Sequence, residues 1–225
     1  SAHPFGVGSM FIIDPLYTVP LLVAVVVGVV RGHPRGLRAV QVGLVVSCAY
    51  LAWSVAAQGH VRGVAREALL ARQAGHLPLL VTPTPFNTVL WRVVAMREDG
   101  GYDEGFYSLL DGERPLRMDR IEVPPAPDAL QTLEPVRQLA AFSHGFFQLH
   151  AQDGRAWVTD LRMGQAPHYS FSFLVARRQG DGWTAVLPQN QGSRGDVRQG
   201  MAWLWQRMRG QDVPPPGRGP SLRSD

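Results

Sequence analysis

The sequence contains no lysine. All 22 of its permanently basic side chains are arginines, set against 18 acidic ones, for a formal net charge of +4. So uniform a choice reads as codon bias rather than as a selected contact surface. The arginines are dispersed, and no helix or strand carries a basic run interleaved with aromatics, so nucleic acid is not an expected partner. A guanidinium stays charged at any physiological pH, which leaves an anionic lipid surface as the acidic neighbour it suits.

Cysteine is nearly absent. Cys48, the only one, excludes an intrachain disulfide and lies inside an apolar run, where it packs as a small apolar residue. Strong metal signatures are missing too. A zinc site needs three or four His, Cys, Asp or Glu ligands, signalled by helical His-x-x-x-His pairs or Cys-x-x-Cys knuckles. The histidines His3, His33, His60, His76, His144, His150 and His168 form no such pair, so a complete metal site is not expected within the chain. Ser143 also lacks the Gly-x-Ser-x-Gly setting of a nucleophile elbow.

What is present is apolar length. Ile12 to Val30 and Val40 to Ala57 are two long apolar runs, each near the roughly 20 residues that a helix needs to cross a hydrocarbon core. Asp14 is a ready N-cap, Pro15 suits a first helical turn, and Pro20 lies one turn deeper, where it should kink the helix. Gly43 and Ser47 allow close helix contact, although Leu51 interrupts the stripe. The two runs read as a transmembrane helical hairpin spanning residues 1–60. Arg31, Arg35 and Arg38 crowd its short connection, so the positive-inside rule places that turn in the cytoplasm and both ends on the opposite face. Arg62, Arg66 and Arg72 beyond the second span oppose this orientation. The chain opens on Ser1, and no arginine-containing segment precedes the first run as in a signal peptide, so an upstream part is expected to be missing.

Residues 61–209 read as an α+β domain with an antiparallel sheet and flanking helices. Val61 to Gln73 has helical periodicity and ends at Gly75 and Pro78. Short β-prone segments follow at Leu79–Val81, Thr88–Met96, Gly105–Leu110 and Leu116–Val123, separated by turn residues such as Asp99, Gly100 and Gly101. A helix is predicted from Asp128, as N-cap, to about Phe142, with a restart near Pro135. A second meander covers Phe146–His150, Ala156–Arg162 and Tyr169–Arg177, in which Tyr169, Phe171, Phe173 and Val175 alternate with Ser170, Ser172 and Leu174. A last helix, from about Asp196 to Met208, places Val197, Met201, Leu204, Trp205 and Met208 on one face. Residues 210–225, rich in Pro, Gly and Arg, read as a disordered tail.

Five segments together carry a resemblance: FIIDPLYTVPLL at Phe11 to Leu22, TPTPFNTVLWRVV at Thr82 to Val94, EGFYSLLD at Glu104 to Asp111, FSHGFF at Phe142 to Phe147 and VTDLRMG at Val158 to Gly164. The chain resembles, up to about Val186, the C-terminal part of bacterial inner-membrane proteins classed as metal-dependent hydrolases, multi-span relatives of the LexA-binding, inner-membrane-associated hydrolases. The resemblance implies a multi-pass inner-membrane protein with a divalent metal, zinc being the candidate. Most ligands for that metal would come from upstream transmembrane segments of the same protein. A non-catalytic, membrane-tethered binding or accessory domain is the alternative.

The candidate site residues follow from both sources. Asp14, a carboxylate at the edge of a span, is a candidate metal ligand or general base, with helix capping as its other reading. His144, at a helix-to-strand junction, is a candidate acid, base or ligand, or else bonds a helix-end carbonyl. Asp160 and Arg162, two apart on one strand face, either pair with each other or project together into a pocket. Arg92, Tyr107 and Asp111 are similar cases, open to structural pairing or, for Arg92 and Tyr107, to substrate contact, whereas Trp91, Trp157, Trp183, Trp203 and Trp205 read as core or interface anchors.

Overall fold

A computed structural model describes residues 8–10, 14–193 and 195–218. His3 and the start of the first apolar run at residues 11–13 lie outside these, as does the end of the tail, 219–225.

The chain begins with two packed helices, α1 (Pro15–Arg31) and α2 (Arg35–Leu70). Asp14 caps α1, its Oδ1 accepting from the Leu16 amide at 2.9 Å, and Pro15 follows in the first turn. The helices approach closely because small residues meet. A Cβ on Gly36 would come within 2.2 Å of the Gly28 carbonyl oxygen, and one on Gly43 within 2.2 Å of the Ala24 Cβ. Buried Ser47 continues this seam, donating to the Tyr17 carbonyl at 3.4 Å.

The second apolar run and the amphipathic pattern from Val61 are separate segments in the sequence, and α2 joins them through Gln58, Gly59 and His60 as a single 36-residue helix. A glycine inside a helix costs about 1 kcal/mol. Burying Ala57, Val61, Ala65 and Leu69 against the first sheet outweighs that cost. At 1.5 Å per residue the helix is about 54 Å long. It is the one helix among those described that is long and apolar enough to cross a membrane; α1 is also apolar but has 17 residues.

The first sheet is an antiparallel meander of β1 (Leu79–Pro83), β2 (Leu90–Met96), β3 (Tyr102–Ser108) and β4 (Met118–Ile121), in that spatial order. Strand alternation gives it two faces. Trp91, Val93, Ala95 and Tyr107 pack on α2, whereas Val94, Tyr102, Leu90 and Phe106 belong to the clusters on the far side.

Two short helices, α3 (Asp128–Gln131) and α4 (Glu134–Phe142), lead to the second sheet. Pro135 sits in the first turn of α4, as its ring allows, but Asp128 does not cap α3: Pro127 takes that position and makes no side-chain bond. The second sheet is formed by β5 (Phe147–Gln152), β6 (Arg155–Asp160), β9 (Ser172–Gln179) and β10 (Gly182–Asn190), in the order β10-β9-β6-β5. Leu130, Val136, Val158 and Val175 form the core between it and the short helices. β10 escapes sequence prediction because it is largely exposed and lacks apolar alternation. The alternation predicted from Tyr169 to Val175 also breaks: Tyr169 belongs to a separate hairpin, and Leu174, Val175 and Ala176 are buried in succession.

That hairpin, β7 (Gly164–Gln165) and β8 (His168–Tyr169), joins the sheets. Leu161, Ala166 and Tyr169 pack on Val94 and Tyr102 of the first sheet. The final helix, α5 (Val197–Met208), is capped by Asp196 and covers Leu90 and Phe106. It buries Trp203, Leu204 and Arg207, whereas Val197, Met201 and Trp205 of the predicted buried face are exposed. An edge-on contact of Trp203 with Phe106 at 4.8 Å and an ion pair of Arg207 with Asp111 set this rotation. Beyond α5, the described part of the predicted tail follows the domain. The Val213 carbonyl accepts from the Trp203 indole at 3.0 Å, and Arg218 reaches Glu104 and Asp119.

Candidate binding cleft between the sheets

The structure distributes the sequence-predicted residues over five places. Asp14 is 1% exposed where α1, α2 and the turn before β2 meet. Its Oδ1 caps α1, and its Oδ2 accepts from the Tyr50 hydroxyl at 2.7 Å; Thr88 in turn donates to Tyr50 at 3.3 Å. His144 lies in the turn ending α4, with a φ of 54° and its amide on the Ala141 carbonyl at 3.1 Å. Asp160 and Arg162 pair with each other through two guanidinium nitrogens, the closest at 2.6 Å, and Arg162 lies over the Phe142 ring.

Arg92 and Tyr107 occupy opposite faces of the first sheet. Tyr107 faces α2, where its hydroxyl donates to the Gly112 carbonyl at 3.3 Å and burial pushes it above the ordinary phenol range. Arg92 faces the β7–β8 hairpin and is a pin between layers. Its Nε donates to Glu104 at 2.5 Å, its Nη1 to the Leu161 carbonyl at 2.5 Å and its Nη2 to the Tyr169 hydroxyl at 3.3 Å. Glu104, fully buried, also accepts from the Ala166 amide and meets Arg218. Burial draws the Arg92 guanidinium below its usual range, and the buried Glu104 carboxylate is the counter-charge beside it.

The metal implied by the resemblance has a poor fit to these residues. Among the described residues no three His, Cys, Asp or Glu side chains converge, and both Asp14 oxygens are engaged. Asp14 and His144 are not brought together.

A different set of residues does converge. In β5, Phe147, Leu149 and Ala151 enter the core against α4, so the period-2 pleat turns Gln148 and His150 to the other face. In β6 the same alternation buries Ala156 and Val158 and turns Trp157 and Thr159 outward from that core. Cross-strand register sets Gln148 beside Thr159, Thr159 beside Ser172 and His150 beside Trp157. The rings of His150 and Trp157 stack at 5.1 Å, and the Trp157 indole donates to Gln191 at 3.0 Å. The Thr159 and Ser172 hydroxyls are 2.8 Å apart.

Gln148, His150, Thr159, Ser172 and Gln191 form one wall of a cleft of 380 Å³, with Trp157 stacked beside His150 but outside the lining. The first sheet and the hairpin supply the opposite wall, with Tyr102, Ile121, Pro167 and Tyr169. Tyr102 and Tyr169 join through their hydroxyls at 2.7 Å, and Arg92 stands behind Tyr169. Burial pushes both phenols above their ordinary range, so they face the cleft protonated. Among the described lining residues none carries a permanent charge; the hydrogen-bonding groups are hydroxyls, amides and one imidazole. That imidazole, His150, has a buried Nδ1 with no hydrogen-bond partner among the described residues. Burial lowers its pKa, so the ring is neutral near pH 7 and offers one donor and one acceptor.

None of the cleft residues is among the sequence candidates. The signal that marks them is the alternation in Phe147–Gln152, where polar residues fill every second position of a strand whose other face is core. Comparison with protein-family models, with curated proteins and with solved structures yields no match to this chain.

Proposed function

We propose that this chain is a membrane-anchored binding domain whose cleft takes an uncharged ligand rich in hydrogen-bonding groups. The convergence of Gln148, His150, Thr159, Ser172 and Gln191 on one cleft carries this reading. The cleft volume, 380 Å³, lies within the roughly 300–1,000 Å³ of small-molecule sites. With no charged side chain among the described lining residues, selectivity rests on matched donors and acceptors.

The anchoring part rests on the helical hairpin. Val29, Val30 and Val45 are 80, 79 and 68% exposed, in an apolar surface continuous over α1 and the first half of α2 that a bilayer would cover. We place it in the bacterial inner membrane as part of a multi-pass protein, with lipid and further transmembrane segments as neighbours. Arg31, Arg35 and Arg38 put the connection on the cytoplasmic side and the α+β domain on the extracytoplasmic one. The metal-dependent hydrolase is a second reading. One observation favours it, the burial of a carboxylate, Asp14, where the helices meet the domain; its remaining ligands would come from outside the described residues.

Saturation-transfer NMR on the full chain in micelles, against a panel of neutral saccharides and uncharged dipeptides, tests the binding reading. A bound compound should lose its signal in Gln148→Ala and keep it in Asp14→Ala. A panel in which no compound distinguishes Gln148→Ala from the parent would count against the cleft.

A further inference from the structure

Exposed apolar side chains occur over the whole α+β domain, Leu70, Phe142, Leu187 and Val197 among them, but one group lies at the end that adjoins the hairpin, and the contacts of α2 identify that end. Tyr50 bonds both Asp14, which opens α1, and Thr88, just before β2, so the β1–β2 turn lies level with the start of the helical hairpin. From there β2 follows α2 away from the hairpin: Trp91 and Val93 pack with Ala57 and Val61. At the far end Arg66 donates to the Gly75 and Leu77 carbonyls and the Met96 amide to that of Pro78. The β3–β4 turn lies at the near end, since the Leu109 amide bonds the Val89 carbonyl. So does the C-terminus of α5, because Ser108 donates to the Met208 carbonyl at 2.7 Å and Arg114 to that of Gly210 at 2.6 Å.

At that level four large apolar side chains are exposed: Trp53 on α2, three residues past Tyr50, Phe86 in the β1–β2 turn, Leu110 in the β3–β4 turn and Trp205 on α5, at 53, 43, 65 and 55%. They come from four separate elements, and each would be costly in water. Arg209 lies 4.4 Å over the Trp205 ring, and exposed Arg114 donates to the carbonyl of Gly210, the next residue; Glu113 is exposed too, and Asp212 pairs with Arg117. Aromatics at one depth with arginines around them are the pattern of a membrane–water interface, where the rings sit among headgroups and the guanidinium heads reach lipid phosphates. The apolar surface of α1 begins at the same level, so the two surfaces are continuous.

We infer that this end of the α+β domain rests directly on the bilayer that holds the hairpin, with the headgroup layer as its occupant. The inference builds on the membrane reading of α1 and α2. Because α2 is one uninterrupted helix, the domain has a fixed tilt against the bilayer rather than hanging from a linker.

Spin labels on the full chain test it, in a Cys48→Ala background, reconstituted in phosphatidylcholine vesicles containing phosphatidylglycerol. Labels at Leu110→Cys and Gln206→Cys report the contact, Val45→Cys the hairpin, and Asp181→Cys, in the β9–β10 turn, open water. The expected result is that labels at positions 110 and 206 collide with oxygen in preference to a water-soluble nickel chelate, with ratios between those at positions 45 and 181. Ratios at 110 and 206 equal to that at 181, with position 45 in lipid, would overturn the contact and leave the hairpin reading intact. A label at position 45 that is open to the nickel chelate would overturn the membrane reading and this inference with it.

Discussion

Arg207 holds Asp111 through both ends of its guanidinium, Nη1 to Oδ1 at 2.7 Å and Nη2 to Oδ2 at 2.6 Å, although 96 residues separate them and both are buried. The same Nη2 donates to the Phe106 carbonyl, and Asp111 also accepts from the Ser108 amide. This pair locks α5 to the β3–β4 turn. Removing one partner leaves a buried charge uncompensated, so Arg207→Met should destabilise the chain by about 3–5 kcal/mol in urea unfolding. Arg207→Lys, which keeps the charge but not the two-pronged geometry, should fall between. Equal stability of Arg207→Met and the parent would show that the pair is dispensable.

The hairpin offers a purely steric test. At Gly36 a Cβ would meet the backbone oxygen of Gly28 at 2.2 Å, and backbone has little room to yield. Gly36→Leu should push α1 and α2 apart and cost about 1–3 kcal/mol as an overpacked contact. Gly63, whose Cβ would meet nothing within 4 Å, is the control: Gly63→Ala should raise stability by about 1 kcal/mol through helix propensity alone. Thermal unfolding in micelles, followed by circular dichroism, reads both, and the prediction fails if the two variants shift the midpoint in the same direction.

How much of this was legible in the sequence depends on whether a signal is local. The packed helix pair, the Asp14 cap and most strands of the two meanders follow from periodicity and turn residues, which act within a few positions, whereas the cap predicted at Asp128 falls one residue away, on Pro127. The continuity of α2 does not follow in this way, because the second apolar run and the pattern from Val61 read locally as separate segments, and only the tertiary burial of Val61 and Ala65 joins them. The rotation of α5 is likewise set from outside, by Phe106 and Asp111. Among site residues, the pairing of Asp160 with Arg162 was one of two readings open at a spacing of two, and the structure shows the pair. Arg92 looked available for a substrate, yet its partners Glu104, Leu161 and Tyr169 come from β3 and from beyond β6. The cleft itself needs two sheets brought face to face, which no single segment encodes.

Asp14 separates the two functional readings. Its Oδ1 caps α1 and its Oδ2 holds Tyr50, a structural assignment that accounts for both oxygens. Loss of an N-cap costs about 1 kcal/mol, so Asp14→Ala should unfold at a lower temperature with metal content unchanged from the parent full-length protein. Metal analysis by plasma mass spectrometry decides it. A fall in bound metal in Asp14→Ala, with Tyr50→Phe unaffected, would put Asp14 in a ligand set and favour the hydrolase.

The acid dependence of stability isolates His150. Burial holds its pKa below the ordinary value of 6.5, so the unfolded chain takes up a proton more readily than the folded one. Between the lowered folded value and 6.5 the unfolded state binds more protons, and stability therefore rises with pH through that window. It is fully present above 6.5 and declines as pH falls through the folded pKa. His150→Phe keeps a ring stacked on Trp157 and removes both the titrating group and the unpartnered Nδ1. The variant should match or exceed parent stability at pH 7, since an unsatisfied buried polar atom costs about 1–3 kcal/mol. Its stability should also fall less steeply below pH 6.5 in a series of urea titrations. An unchanged acid slope would mean that His150 titrates alike in both states, and the neutral-imidazole account of the cleft would have to be given up.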